Sequence, residues 1–104
     1  MMPEQTGAGR AIRVAIVDDQ PLLVSAFSAL VGAQPDMEVV LEAGDGRQAT
    51  DALMAAASAS SDGSVAVDLV LMDLRMPVMD GVSAIHALRA TGSTSALRIL
   101  VLTT

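Results

Sequence analysis

The sequence predicts an α/β fold, a doubly wound parallel sheet whose strands alternate with helices. Short apolar runs rich in Val, Ile and Leu, each bounded by turn residues, have the length and composition of strands. Stretches with helical spacing separate these runs in the order β-α-β-α-β-α-β, which is typical of parallel strands joined by right-handed crossovers. Three of the runs also end in acidic or hydroxyl side chains, as strands do at the functional edge of an open α/β sheet.

Four segments are predicted as strands. The run before Asp73 and the run before Asp18-Asp19 are almost wholly apolar, a pattern that indicates burial on both faces of the sheet. A further apolar run ends in Thr103-Thr104, and a shorter candidate lies between the first two helices. The predicted strands are Ile12 to Val17, Met37 to Leu41, Leu69 to Met72 and Ile99 to Leu102.

Three helices are predicted between the strands. The first begins at Pro21, a residue favoured at the first helical position, and Gly32 fits its end. The second follows the Asp45-Gly46 turn, and the third opens at Asp80-Gly81 and ends by Gly92. Apolar residues at helical spacing are Leu23, Ala26, Phe27, Leu30 and Val31 in the first helix, Ala49, Leu53 and Ala56 in the second, and Val82, Ile85 and Leu88 in the third.

The remaining segments complete one domain. Residues 1–11 are small, polar and glycine-containing, which predicts a disordered lead-in, so the domain is expected to span residues 12–104. The Ala/Ser-rich stretch from 57 to 64 is predicted as a loop. His86 is expected to be a surface or half-buried histidine, and the 7 methionines are expected to fill the core and loops.

Composition excludes several classes of function. The net charge of −6 argues against direct binding to nucleic acid or to an anionic membrane. With 0 cysteines, the chain has no disulfide and no thiolate metal site, which suits a reducing cytoplasm. No apolar run approaches the roughly 18 residues that a membrane span requires. We therefore expect a soluble, cytoplasmic chain.

Three motifs carry a resemblance to a known family. They are Val17-Asp18-Asp19, the block from Asp73 to Gly81 with its Met-Pro turn and Asp-Gly pair, and Leu102-Thr103. Together they resemble the receiver domain of bacterial two-component response regulators, especially the subfamily with a LuxR-type helix-turn-helix output. The resemblance implies a flavodoxin-like strand order of 2-1-3-4, without the fifth strand and last helices that receivers usually have.

In that order the first and third strands are neighbours, so Asp18, Asp19 and Asp73 should converge at one edge of the sheet. Like charges that close cannot all ionise unless a cation joins them. Ligands that are all oxygen favour a hard ion, so Mg²⁺, or Mn²⁺ in its place, is the expected occupant. The alternative for a carboxylate at this point is helix capping, and Asp19 could cap the helix that begins at Pro21.

The resemblance also implies a role for each residue. Asp73 would accept a phosphoryl group from a sensor histidine kinase, and Thr103 would be the hydroxyl that reads the modification. Asp19 and Asp73 would contact the metal directly, Asp18 would act through water, and Arg75 would contribute its backbone carbonyl. DNA would be reached only through an output domain. Enzymatic activity would be limited to the chain's own phosphorylation and dephosphorylation.

Two other functions stay open. A Mg²⁺-dependent phosphohydrolase of the haloacid-dehalogenase type also uses an aspartate at a strand end, but it needs a second aspartate two positions later, where this chain has Arg75. A receiver-like module that docks partners without phosphorylation is the other, because the lysine that receivers carry on the fifth strand is absent. The exposed edge of the fourth strand is expected to make the truncated chain self-associate or stay loosely folded.

Overall fold

A computed structural model of the chain describes residues 11–59, 67–76, 78–90 and 97–102. The elements follow the predicted order. They are β1 (Ile12–Val17), α1 (Pro21–Gly32), β2 (Met37–Ala43), α2 (Gly46–Ala59), β3 (Leu69–Asp73), α3 (Gly81–Ala90) and β4 (Arg98–Leu102). The predicted lead-in, apart from Ala11, lies outside the described residues, as does Gly92.

The strands form one parallel sheet in the order β2-β1-β3-β4. This confirms the predicted fold class and strand order. Strand β1 is central because it pairs with β2 on one side and with β3 on the other. Its last four residues, 14–17, are almost completely buried, as the uniformly apolar pattern predicted.

The two faces of the sheet carry cores of unequal size. Helices α2 and α3 cover one face, where Leu53 and Leu88 pack in a cluster with Val70 and Met72. Helix α1 covers the other face, where a smaller cluster is built around Val14, Ile16 and Val31. The carboxyl edge of the sheet is thus supported from both faces.

The predicted apolar face of α1 is partly wrong. Val24, Phe27 and Val31 pack against the sheet, whereas Ala26 is exposed and Leu30 is 63% exposed. The reason is that α1 is apolar on most sides, so periodicity does not single out one stripe. The contacts of α1 are with β1 and β2, which leaves only a narrow part of the helix buried.

Helices α2 and α3 differ from the prediction in smaller ways. In α2, Ala49 and Leu53 face the core as predicted, but the helix continues to Ala59. The loop predicted from residue 57 is therefore wrong for residues 57–59, because alanine favours helix more than any other residue. In α3 the buried residues are Gly81, Ala84 and Leu88, and Val82 is 50% exposed. Two of these buried residues, Gly81 and Ala84, are small, and apolar spacing alone did not predict their burial.

Three strands are longer than predicted. Strand β2 continues to Ala43, β3 includes Asp73, and β4 begins one residue earlier, at Arg98. In each case the extra residues pair with the neighbouring strand: Ala43 lies opposite Val17, Asp73 opposite Leu102 and Arg98 opposite Leu69. The described part of the chain contains no helix long and apolar enough to cross a membrane.

Candidate functional site

Three carboxylates meet at the carboxyl edge of the sheet. Asp18 and Asp19 follow β1, and Asp73 is the last residue of β3. The register places Val17 opposite Met72, so the two strands deliver their acidic residues side by side. One oxygen from each of the three carboxylates lies within 4.8 Å of the others. The convergence expected from the sequence is therefore present.

Burial divides the three acids. Asp18 and Asp73 are each 3% exposed, while Asp19 is open to solvent. The backbone N–H of Gln20 donates to Asp18 Oδ1 at 2.9 Å, and the backbone N–H of Arg75 donates to Asp73 Oδ1 at 3.2 Å. Each buried carboxylate thus has one oxygen held by the chain that follows it, which fixes its orientation.

The electrostatics of the cluster favour a cation. Burial raises the pKa of Asp18 above its ordinary value, and the charges of Asp73 and Asp19 raise it further. The hydrogen bond from the Gln20 N–H only partly offsets these effects. Carboxylate oxygens are the ligands that Mg²⁺ prefers, and a divalent ion would relieve the repulsion among the three acids. The donor set of this pocket therefore fits Mg²⁺.

A groove of about 280 Å³ opens beside two of these carboxylates. It lies between the start of α1 and the end of β2, and Asp18 and Asp19 form part of its wall. Pro21 and Val24 line the side that belongs to α1. The groove thus opens to solvent next to Asp18 and Asp19, and Asp73 is not among the residues that line it.

The other predicted site residues have different outcomes. The side chain of Arg75 is exposed, and its backbone lies next to Asp73 through the N–H contact, while the metal-binding role of its carbonyl stays a prediction. Thr103 lies outside the described residues. It follows Leu102, which the register places opposite Asp73. The role of Thr103 as a switch hydroxyl also stays a prediction.

His86 and the two methionines nearest Asp73 are placed as expected. His86 is exposed on α3, and Met72 and Met76 are buried in the larger core. Pro77 lies outside the described residues.

Two glycines that shape the site were not predicted. The segment between β3 and α3, residues 74–80, is called here the 74–80 loop. The N–H of Gly81 donates to the carbonyl of Leu74 at 3.0 Å, and the N–H of Gly46 donates to the carbonyl of Met79 at 2.9 Å. Both glycines belong to Asp-Gly pairs that the sequence analysis interpreted as helix starts, and Gly81 also ends the block from Asp73 that carries the family resemblance. The contacts of the two glycines with the 74–80 loop were not predicted from either pattern.

The aspartates of these pairs do cap their helices. Asp45 Oδ1 accepts the N–H of Gln48 at 2.8 Å, and Asp80 Oδ1 accepts the N–H of Ser83 at 2.8 Å. The hydrogen bonds from Ser83 hold the pKa of Asp80 below its ordinary value. Within the 74–80 loop, Val78 has a φ of 69°, a region that β-branched residues rarely occupy.

Comparison with known proteins agrees with this geometry. The family described as response regulator receiver domain matches residues 14–104. The nitrate/nitrite response regulator protein NarP of Escherichia coli is 37% identical over 99 residues, which are 95% of this chain and 40% of that protein. A protein-glutamate methylesterase/protein-glutamine glutaminase of a Nocardioides species is 40% identical over 82 residues, which are 79% of this chain and 20% of that protein. The chain thus spans less than half the length of these relatives.

Solved structures show the same likeness. The response regulator domain of Thermotoga maritima CheB has a TM-score of 0.73 at 28% identity, covering 90% of this chain and 61% of that one. The receiver domain of the putative response regulator NarL from Mycobacterium tuberculosis has a TM-score of 0.69 at 30% identity, covering 90% of this chain and 65% of that one.

Proposed function

Because the chain belongs to the response regulator receiver domain family of two-component systems, we propose that it is phosphorylated on Asp73 by a sensor histidine kinase. The observation that carries this proposal is the buried carboxylate at the end of β3, held among two further acids beside a groove open to solvent. A carboxylate can attack phosphorus and form an acyl phosphate. Asp73 is the acid of the cluster that is both buried and at the end of β3.

Each residue of the pocket would have its own role in the phosphorylation of Asp73. Asp73 Oδ1 is tied to the Arg75 N–H, which holds the attacking carboxylate in one orientation. Asp18, Asp19 and Asp73 would hold Mg²⁺ together with the carbonyl of Arg75. When bound, the ion would neutralise negative charge on the oxygens of the transferred phosphoryl group. Thr103 would donate its hydroxyl to the product and so report the modification.

We further propose that the signal passes to an output domain of LuxR type, which would bind the DNA. The resemblance of the motifs to the LuxR-type subfamily supports a transcriptional output, whereas the relative named as a protein-glutamate methylesterase/protein-glutamine glutaminase makes an enzymatic output the alternative. On this proposal the receiver acts in the cytoplasm and catalyses only its own phosphorylation and dephosphorylation.

A phosphotransfer assay with a sensor kinase tests the proposed phosphorylation of Asp73. No transfer under conditions where the protein is folded would favour a docking module that works without phosphorylation.

Changing Asp19 to Asn should remove most of the affinity for Mg²⁺. The amide keeps the size of the side chain but removes the charge that is most accessible to an incoming ion, so we expect a loss of roughly tenfold or more. Isothermal titration calorimetry of the metal-free chain with MgCl₂ measures it. Asp51→Asn, an equal change of charge at an exposed position on α2, is the control and should bind as the parent does. Equal affinity in Asp19→Asn would show that the assigned pocket is wrong.

We also propose that this chain self-associates through β4. Strand β4 lies at an edge of the described sheet, and Leu100 is 53% exposed on it. The β4 edges of two copies can pair about a twofold axis, so we expect the partner of this edge to be a second copy of the chain. Size-exclusion chromatography with light scattering should give a dimer or larger species, and Leu100→Lys should shift it to monomer. A monodisperse monomer with one cooperative unfolding transition would contradict the proposal.

A further inference from the structure

The 74–80 loop is held at both ends by the first residues of two helices. Gly81 begins α3 and donates to Leu74, and Gly46 begins α2 and donates to Met79. These backbone bonds join the loop after Asp73 to the two helices that cover the same face of the sheet. A shift of Leu74 or Met79 would therefore strain or break one of these backbone hydrogen bonds.

Both contacts are too close for any side chain. A Cβ added to Gly81 would lie 2.4 Å from the carbonyl oxygen of Asp73 and 2.7 Å from the Cα of Leu74. A Cβ added to Gly46 would lie 2.3 Å from the carbonyl oxygen of Met79. These neighbours are backbone atoms, which cannot rotate away as a flexible side chain would.

The contact at Gly81 bears directly on the phosphoacceptor. The carbonyl that a new Cβ would strike belongs to the peptide that links Asp73 to Leu74. That peptide sets the direction of the Asp73 side chain and leads to the Arg75 N–H that holds Asp73 Oδ1. A displacement of roughly half an ångström is enough to spoil a functional arrangement of this kind.

We propose that Gly81, supported by Gly46, is a positioning residue of the phosphoacceptor pocket. By lacking a side chain, Gly81 lets α3 seat against the backbone of Asp73 and so fixes the carboxylate relative to Asp18 and Asp19. This inference deepens the proposed function and rests on it. The glycine itself touches neither the metal nor the phosphoryl group.

The test is Gly81→Ala in the full chain. Alanine at a helix start favours helix more than glycine does, so a loss cannot come from helix propensity. The affinity for Mg²⁺, measured by calorimetry well below the melting temperature, should fall about tenfold, and the rate of labelling by acetyl phosphate should fall by about 10- to 100-fold. Gly32→Ala is the matched control, because a Cβ there has nothing within 4 Å, and it should leave both quantities unchanged.

A merely structural glycine would give a different result. Gly81→Ala would then melt at a lower temperature but, once folded, would bind Mg²⁺ and take label as the parent does, and this outcome overturns the proposal. If Gly81→Ala does not fold, Gly46→Ala presses on the same loop at Met79, further from Asp73, and should weaken Mg²⁺ binding by a smaller factor. Normal Mg²⁺ affinity in a folded Gly46→Ala would overturn the proposal. Failure of both variants to fold would also overturn it, because the two glycines would then be required for folding as a whole and not for positioning the pocket.

The two readouts separate this inference from the proposed function. If the parent chain takes no label from any donor, the proposed phosphorylation fails. The comparison of Mg²⁺ affinity between Gly81→Ala and the parent chain does not depend on labelling, so it still tests the positioning role of Gly81.

Discussion

Asp73→Asn should abolish phosphoryl labelling in a full-length protein that contains this chain. The neutral amide is a poor nucleophile, so the initial rate should fall by roughly a thousandfold or more. Asparagine has nearly the same size, and its side-chain oxygen can still accept the Arg75 N–H, so the pocket should keep its shape. Labelling with a radioactive phosphodonor, followed by mass spectrometry of the modified peptide, measures the effect.

Two further variants and the mapping of the modified residue make this result specific. Asp36→Asn changes the charge equally at an exposed position and should label normally. Thr103→Ala should keep labelling and impair output, as the proposed switch role requires. A phosphoryl group mapped to Asp18, Asp80 or His86 would show that Asp73 is not the acceptor.

Leu53→Ala should lower the free energy of unfolding by about 3 kcal/mol, because it leaves a cavity in a core that cannot fully collapse. Leu53 is 0% exposed and packs in the larger cluster with Met72, directly before Asp73. Urea unfolding followed by circular dichroism measures the change. Leu22→Ala removes the same atoms at a position that is 81% exposed, and it should change stability by less than about 0.5 kcal/mol. Similar losses in the two variants would contradict the assigned core.

The fold was predictable where local pattern and burial coincide. The bounds of β1 agree with the sequence because every residue from 14 to 17 is buried, so the apolar run and the strand are the same segment. The helix faces were harder. Helix α1 is apolar on several sides, and only its position over β1 and β2 decides that Val24 is inside and Leu30 outside.

The candidate site divides in the same way. The convergence of Asp18, Asp19 and Asp73 could be predicted, because parallel strands bring their carboxyl ends together. The sequence could not predict which of the two adjacent acids is buried, because Asp18 and Asp19 differ only in the direction that the backbone gives their side chains. The contact of Gly46 with Met79 joins residues that are far apart in the sequence, so a local sequence pattern could not predict it.

The burial of Asp18 has a consequence for how proton binding is linked to folding. Its pKa is raised above its ordinary value in the folded state, so the stability associated with its protonated form is fully present below the pKa of the unfolded chain and is lost as pH rises through the raised pKa. At neutral pH the folded, metal-free chain therefore carries a carboxylate that would ionise more easily if the chain unfolded. Thermal unfolding without metal should show the parent losing stability relative to Asp18→Asn as pH rises across the acidic range, and parallel curves would mean that Asp18 has no such linkage. The ionised carboxylate of Asp18 thus costs the folded chain stability at neutral pH, and a cation bound by Asp18, Asp19 and Asp73 would offset that cost by binding the folded state.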